Sequence, residues 1–377
     1  MFRRAKLKLA IVRLGIHPFK KHAKHTITSK DNTMTLLCTG AAGYIGSHTA
    51  LTLLEQTDAR LIIIDDLRTG FMENIALLQR GFGDRVEFVE MNFGDRNALE
   101  ALFSRVQIDG VVHFGASLIV GESVQKPLSY YHNNVANAIA LLEACARFGV
   151  KYFIFSSTAA VYGEPDSAFI PVREDAPLAP INPYGTSKMM VELILQDIAR
   201  ISPLRYVALR YFNVAGASMK NTPELLSQGL GLGQRSKNAT HLIKVALECA
   251  VGKRNGMSIF GEDYDTSDGT CIRDYIHIDD LAAAHVSALD FLRENGESAV
   301  FNVGYNHGYS VKEVIQVVKE ISGVDFPVAM AARRAGDPAM LIASNQKLKR
   351  HTNWQPKFDD LRTIVRSAYE FECSLRS

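Results

Sequence analysis

The feature that most restricts this chain is a glycine cluster, Gly40-Ala41-Ala42-Gly43-Tyr44-Ile45-Gly46, set directly behind the apolar, β-rich run Met34–Thr39. Such a run, ending on glycines spaced by three and continuing into helical apolar spacing over Ser47–Glu55, predicts a strand–turn–helix unit. The glycines let the backbone turn tightly and approach a pyrophosphate at the positive end of the helix. Asp65 closes the next β-rich run, Leu61–Asp65. A carboxylate at that place accepts hydrogen bonds from an adenosine ribose and repels a 2′-phosphate, which favours NAD over NADP. Asp66 can share the role.

The pattern then repeats. Val86–Val89, Gly110–Phe114, Tyr152–Ser156 and Tyr206–Arg210 are further strand candidates, and the stretches between them are long enough for crossover helices, as over Val135–Phe148. Alternating β and α predicts an α/β fold: a Rossmann-type doubly wound parallel sheet covered on both faces. After Phe212 the alternation loosens and Gly, Pro and Asn gather around 216–238. The expected organisation is a basic, disordered extension over 1–33, an NAD-binding domain over 34–212, and a smaller C-terminal substrate-binding lobe over 213–377, some of whose segments return to the first domain.

Composition narrows the class. Apolar residues make up 47% and charged residues 22% of 377, a globular profile, and no run of 18 apolar residues offers a membrane span. The net charge of +2 hides an asymmetry. Residues 1–33 carry nine Lys and Arg against one acid, leaving 33 basic and 39 acidic residues for the rest. The extension lacks the apolar core of a secretory signal; its Arg content leaves a transit peptide open beside an upstream start codon. An acidic body opposes a nucleic-acid partner. Five scattered cysteines without metal spacing read as reduced thiols in a cytoplasmic protein, and no metal is expected.

Tyr184-Gly185-Thr186-Ser187-Lys188 opens a helical stretch, and its spacing of four puts phenol and ammonium on one face. A free tyrosine, with pKa about 10, is a poor base at neutral pH. An adjacent ammonium, and a cationic nicotinamide ring, favour the phenolate. Ser156-Ser157-Thr158 ends a strand on the ligand-binding side of the sheet. The Thr158 hydroxyl is placed to bond both a sugar hydroxyl and the tyrosine, with Ser156 and Ser157 in support.

The glycine spacing resembles the extended short-chain dehydrogenase/reductase superfamily. Together with Tyr184–Lys188 and Thr158 it closely resembles the UDP-glucose 4-epimerase family from about Met34 to the C-terminus. The ordered motifs His113-Phe114, Val120–Pro127, Asn133-Asn134-Val135, Tyr211–Gly216, Arg273–His277 and Arg333–Asp337 carry the likeness further. The resemblance implies a redox cycle with no net redox change. Tyr184 takes the proton of the sugar 4-hydroxyl, a hydride leaves C4 for NAD, the 4-keto sugar swings about its link to the diphosphate, and the hydride returns to the opposite face. It implies Tyr184, Lys188 and Thr158 as the catalytic group. Gly40, Gly43, Tyr44, Ile45, Gly46, Asp65, Asp66, Asn92, Phe93, Phe114, Asn133, Ser156 and Tyr211 join Tyr184 and Lys188 around NAD. On the substrate side, Arg273 and Arg334 pair the diphosphate, Asp337 meets the uridine ribose, Phe212 and Asn213 lie at the sugar–diphosphate region, and Asn238 and Phe260 at the nucleotide. A homodimer through helices near 133–148 and 184–200 is implied by the same analogy.

The chain departs from the family at several points. Met91-Asn92-Phe93 replaces a Gly-Asp pair whose Asp meets adenine, Leu118 replaces a lysine that some members aim at the cofactor, and the run after Asn238 differs. Leu341 stands where some members place a bulky tyrosine near the sugar C2 group, which predicts that an N-acetyl group is admitted. Ala159-Ala160 follow Thr158 where a 4,6-dehydratase needs an acid–base pair, and alanines carry no proton. A 4-epimerase of another UDP-sugar, a uronate or pentose, stays open, as does a non-catalytic NAD-binding regulator; both Tyr184 and Lys188 are present against the latter.

Overall fold

In the computed structural model, which describes residues 33–236, 239–334 and 337–375, the apolar run before the glycines is an inner strand of a seven-stranded sheet. Its strands are β1 (Thr35–Thr39), β2 (Arg60–Asp65), β3 (Val86–Glu90), β4 (Gly110–His113), β5 (Tyr152–Thr158), β6 (Arg205–Tyr211) and β7 (Ala299–Val303). They pair in the order β7-β6-β5-β4-β1-β2-β3, and every pair is parallel. The alternation of side chains feeds two cores. Leu36, Leu61 and Ile63 point to one face; Leu37, Ile62 and Val111 point to the other. Burial on both faces is why these strands read as unbroken apolar runs.

The crossovers are α1 (Tyr44–Gln56), α2 (Met72–Phe82), α3 (Arg96–Arg105), α4 (Asn137–Phe148), α5 (Pro183–Ile201) and α6 (Ile278–Asn295). Leu53 of α1 and Leu289 of α6 share the first core; Leu99, Leu141 and Val191 of α3, α4 and α5 share the second. The start of α5 is written locally: the Asn182 side chain accepts the Gly185 N–H at 2.8 Å, and Pro183 fills the first position. Strands β5 and β6 run on to Thr158 and Tyr211, past the expected ends, because these two residues are register partners. The helical stretch expected from Val135 is preceded by a π-helical turn over His132–Ala136, and α4 proper starts at Asn137.

Beyond β6, helices Leu242–Ala250, Val311–Ser322 and Leu361–Ser374 pack together. A small three-stranded sheet sets Ile272–Arg273 between Tyr309–Ser310 and Met340–Leu341. The buried Asp274 carboxylate accepts backbone N–H groups of Tyr305, Asn306 and Ala343, tying three segments together. The chain also goes back: α6 lies against α1, and β7 extends the first sheet beside β6. The extension read as disordered falls on residues outside those described, Thr33 excepted, as do Asn238 and its neighbour Lys237.

Candidate active site

The glycine loop is built for close approach. Gly40 has φ +69, and a Cβ there would lie 2.6 Å from the Gly115 nitrogen. A Cβ on Gly46 would lie 2.5 Å from the Ala41 Cα, so only glycine lets α1 start against the loop. No side chain caps α1 and no acid sits in its first turn, which leaves its positive end open to an anion. This cradle fits a pyrophosphate. Tyr44 turns its phenol away to donate to the Gly216 carbonyl at 2.7 Å, so at Tyr44 the backbone is what faces the loop.

At the end of β2 the Asp65 carboxylate accepts from the Ala42 N–H at 3.1 Å and the Leu67 N–H at 2.9 Å, while burial pushes its pKa up. Asp66 accepts from Arg68 Nε at 2.7 Å and from the Asn92 amide at 3.3 Å. Arg68 reaches on to the Asn133 amide oxygen at 2.8 Å. Asp65, Asp66, Asn92 and Asn133 therefore surround one polar mouth. Phe93 lines the wall below, against Gly115 and edge-on to His113, and Phe114 leans on the buried His285 ring.

Thr158, Tyr184 and Lys188 meet at the carboxyl ends of β5 and β6. Tyr184 is half-buried at the first turn of α5, and Lys188 is buried one turn on. Lys188 Nζ donates to the Ser156 carbonyl at 2.8 Å. Burial lowers Lys188 to about 7 in spite of the opposing Glu192 charge, and raises the Tyr184 phenol, whose hydrogen bond from Thr158 offsets part of the rise. The protein's own groups thus leave the phenol protonated. The Ser156 hydroxyl lies 3.5 Å from His285 Nε2 and bonds Tyr211, which faces Tyr184.

In the C-terminal half, Arg273 Nη2 lies 3.5 Å from an Asp337 oxygen, and the Arg334 guanidinium lies 3.7 Å above the Phe260 ring. Leu341 is the register partner of Arg273, which puts both on one short sheet. Phe212 is buried, and exposed Asn213 donates to the Asp274 carbonyl at 3.3 Å. Leu118 is half exposed.

The sequence reading missed a set of supports. Asn134, on the π-turn, donates to the Ser117 carbonyl at 3.0 Å and to the Ser187 hydroxyl at 3.0 Å, and Ser187 donates to the Tyr184 carbonyl at 2.7 Å. The doubled asparagine inside a helical stretch was the available signal. Glu192, four residues after Lys188, was legible only as a further step of the same spacing, and its partner Arg210, on β6, had no such signal. For His285 no local signal exists.

The fold and this site define an NAD-dependent epimerase or dehydratase: residues 36–304 match the model of the NAD dependent epimerase/dehydratase family. A UDP-glucose 4-epimerase of Azospirillum brasilense is 48% identical over 342 residues, which cover 90% of this chain and 92% of the relative. The solved UDP-Glc/GlcNAc 4-epimerase of Campylobacter jejuni is 51% identical with a TM-score of 0.76, covering 90% of this chain and 99% of that one. A UDP-glucose 4-epimerase of Stenotrophomonas maltophila, solved with bound NAD and formylated UDP-arabinopyranose, is 36% identical with a TM-score of 0.84, covering 91% and 99%. The chain belongs to the UDP-glucose 4-epimerase family.

Proposed function

We propose that this chain interconverts UDP-galactose and UDP-glucose through a 4-keto intermediate, with NAD as its resident cofactor. The observation that carries the reading is the meeting of Tyr184, Lys188 and Thr158 beside the glycine cradle, with buried Ala159 and half-buried Ala160 following Thr158. That site can move one proton and has no second acid–base pair to expel water. Bound NAD supplies a reversible hydride acceptor for the sugar C4. Gly40, Gly43, Gly46 and the first amides of α1 hold its pyrophosphate, Asp65, Asp66, Asn92 and Asn133 its adenosine, and Phe93, Phe114, Ser156 and Tyr211 its walls.

Tyr184 takes the proton of the 4-hydroxyl and, once the ketone has turned its other face, returns that proton to the same 4-oxygen. A cationic ring and the Lys188 ammonium beside the phenol counter the burial that keeps it protonated. Thr158 fixes the 4-oxygen against the tyrosine. Arg273 and Arg334 grip the diphosphate, since their forks match its oxygens and their charge is permanent. Phe260 backs the Arg334 plane, Asp337 takes the uridine ribose, and Phe212, Asn213 and Asn238 complete the subsite. The sugar is free to turn because the grip is on the diphosphate.

Leu341 favours a second substrate, UDP-N-acetylglucosamine, because a leucine beside Arg273 leaves more room than a tyrosine; a relative named for both sugars supports it. A dimer is part of the proposal. Val124, Leu128, Ile139 and Leu193 expose apolar side chains on neighbouring helices around α4 and α5. So are the division into an NAD-binding and a substrate lobe, with α6 and β7 in the first, and a cytoplasmic setting. The five cysteines are all free, and no helix among the described residues is long and apolar enough to cross a membrane. The deciding experiment is incubation of the purified chain with UDP-galactose and no added NAD. UDP-glucose as product supports the reading, and a dehydrated or unchanged sugar overturns it.

A further inference from the structure

Tyr184, Lys188 and Glu192 follow at intervals of four on α5, so one helix face carries phenol, ammonium and carboxylate in line. The carboxylate is held from several sides. Arg210 Nε lies 3.0 and 3.1 Å from its two oxygens and Nη2 lies 2.5 Å from one, while the Ser157 hydroxyl also donates to it. Arg210 is fixed in turn by the Tyr162 hydroxyl at 3.0 Å and the Glu174 carbonyl at 3.3 Å. Consecutive residues of β5 thus serve the two charges: the Ser156 carbonyl takes the ammonium and the Ser157 hydroxyl the carboxylate. Lys188 is buried, with the Phe155 ring 4.9 Å from its Nζ. Among the described residues it makes no contact ion pair.

We propose that Glu192 is a positioning residue of the reaction, acting through Lys188: held by Arg210 and Ser157, it is the countercharge that keeps the ammonium charged inside the fold. The other groups packed around it do not supply that charge. Burial holds His113 of β4 neutral, with its pKa near 3, and raises the phenols of Tyr162, Tyr206, Tyr211 and Tyr130. The Glu174 carboxylate is also raised by burial and is engaged by the Asn302 N–H. Burial takes Lys188 down to about 7, and Glu192 opposes that fall. Removing the anion lets Lys188 lose its proton at lower pH, so the alkaline limb of the activity profile moves down while the acid side stays.

The inference rests on the epimerase reading with Tyr184 as base. The test follows UDP-galactose turnover by the holoenzyme from acid to alkaline pH. The double variant Glu192→Gln with Arg210→Met keeps an acceptor for Ser157 and leaves no unpaired guanidinium, so it is the variant expected to fold. Its alkaline limb should fall by about one pH unit, a roughly tenfold loss on that side. Arg210→Lys, which loosens the pair but keeps its charges, should retain the wild-type limb. Glu192→Gln alone, which also leaves the Arg210 charge unpaired, should move the limb in the same direction and further, and serves if the double variant does not accumulate. A Glu192→Gln variant whose limb stays in place, or whose turnover falls equally at every pH, overturns the proposal, as does an Arg210→Lys variant whose limb moves with it. A wild-type chain that does not turn over UDP-galactose overturns the epimerase reading instead.

Discussion

Gly46→Ala isolates the glycine loop as a physical device. The added Cβ would lie 2.5 Å from the Ala41 Cα, 2.8 Å from the Gly40 carbonyl oxygen and 3.2 Å from the Ala41 Cβ. The nearest two are backbone atoms that cannot rotate aside. Opening the shortest contact to ordinary van der Waals distance moves the start of α1 by about 1 Å. Overpacking of this kind costs ~1–3 kcal/mol, against a gain of at most ~1 kcal/mol from replacing a helical glycine. The net effect is a melting temperature lower by a few degrees. The first amides of α1 move with the helix, away from the pyrophosphate they are built to meet. Charge-assisted hydrogen bonds are worth ~1.5–3 kcal/mol each, so NAD should bind on the order of 10- to 100-fold more weakly. The assay is the NAD content of the purified protein after gel filtration, with the melting curve beside it. Gly81→Ala in α2 is the control, since its Cβ meets nothing within 4 Å. If Gly46→Ala retains full NAD and melts with the wild type, the close-approach argument is wrong.

Tyr184→Phe should cut turnover by ~10²–10⁴-fold while NAD content is unchanged; equal turnover in a steady-state assay would remove Tyr184 as the base. Leu341→Tyr should abolish turnover of UDP-N-acetylglucosamine and spare UDP-galactose, measured with both sugars side by side; parallel loss of the two would mean that Leu341 does not sort them. Stability should fall in acid. Burial depresses His113 to about 3 and His277 and His285 to about 4, below the unfolded value of 6.5. The unfolded chain takes up these protons first, so stability present above 6.5 is lost as pH drops towards 4, with at most about 1.4 kcal/mol per pH unit from each. Urea midpoints that stay flat from pH 6.5 to 4.5 would refute it.

What the sequence disclosed was local. The glycine loop, the carboxylate at the end of β2 and the four-residue step from Tyr184 to Lys188 are each set by neighbours in the chain. So is the start of α5, where Asn182-Pro183 spells out the cap. The expected strands lie within a residue or two of those observed, because burial on both faces writes them as apolar runs. What stayed hidden depends on residues far apart. The end of β5 at Thr158 needs Tyr211 as its partner, and Ser156 meets His285 from 129 residues away. The Glu192–Arg210 pair joins a helix to a strand, and nothing in either segment names the other.

The return of α6 and β7 to the first sheet bears on how the chain is made. A nascent chain that has emerged as far as residue 212 already holds six strands, yet β6 still shows a bare edge and α1 an uncovered apolar side. Both wait for Ile278–Val303, close to a hundred residues of synthesis later. Open edges and apolar surface of this kind are where partly made chains stick to one another. Pairing so distant in sequence also closes slowly. The first half therefore carries a bare β6 edge and apolar surface until Ile278–Val303 have left the ribosome, when β7 pairs with β6 and α6 covers α1.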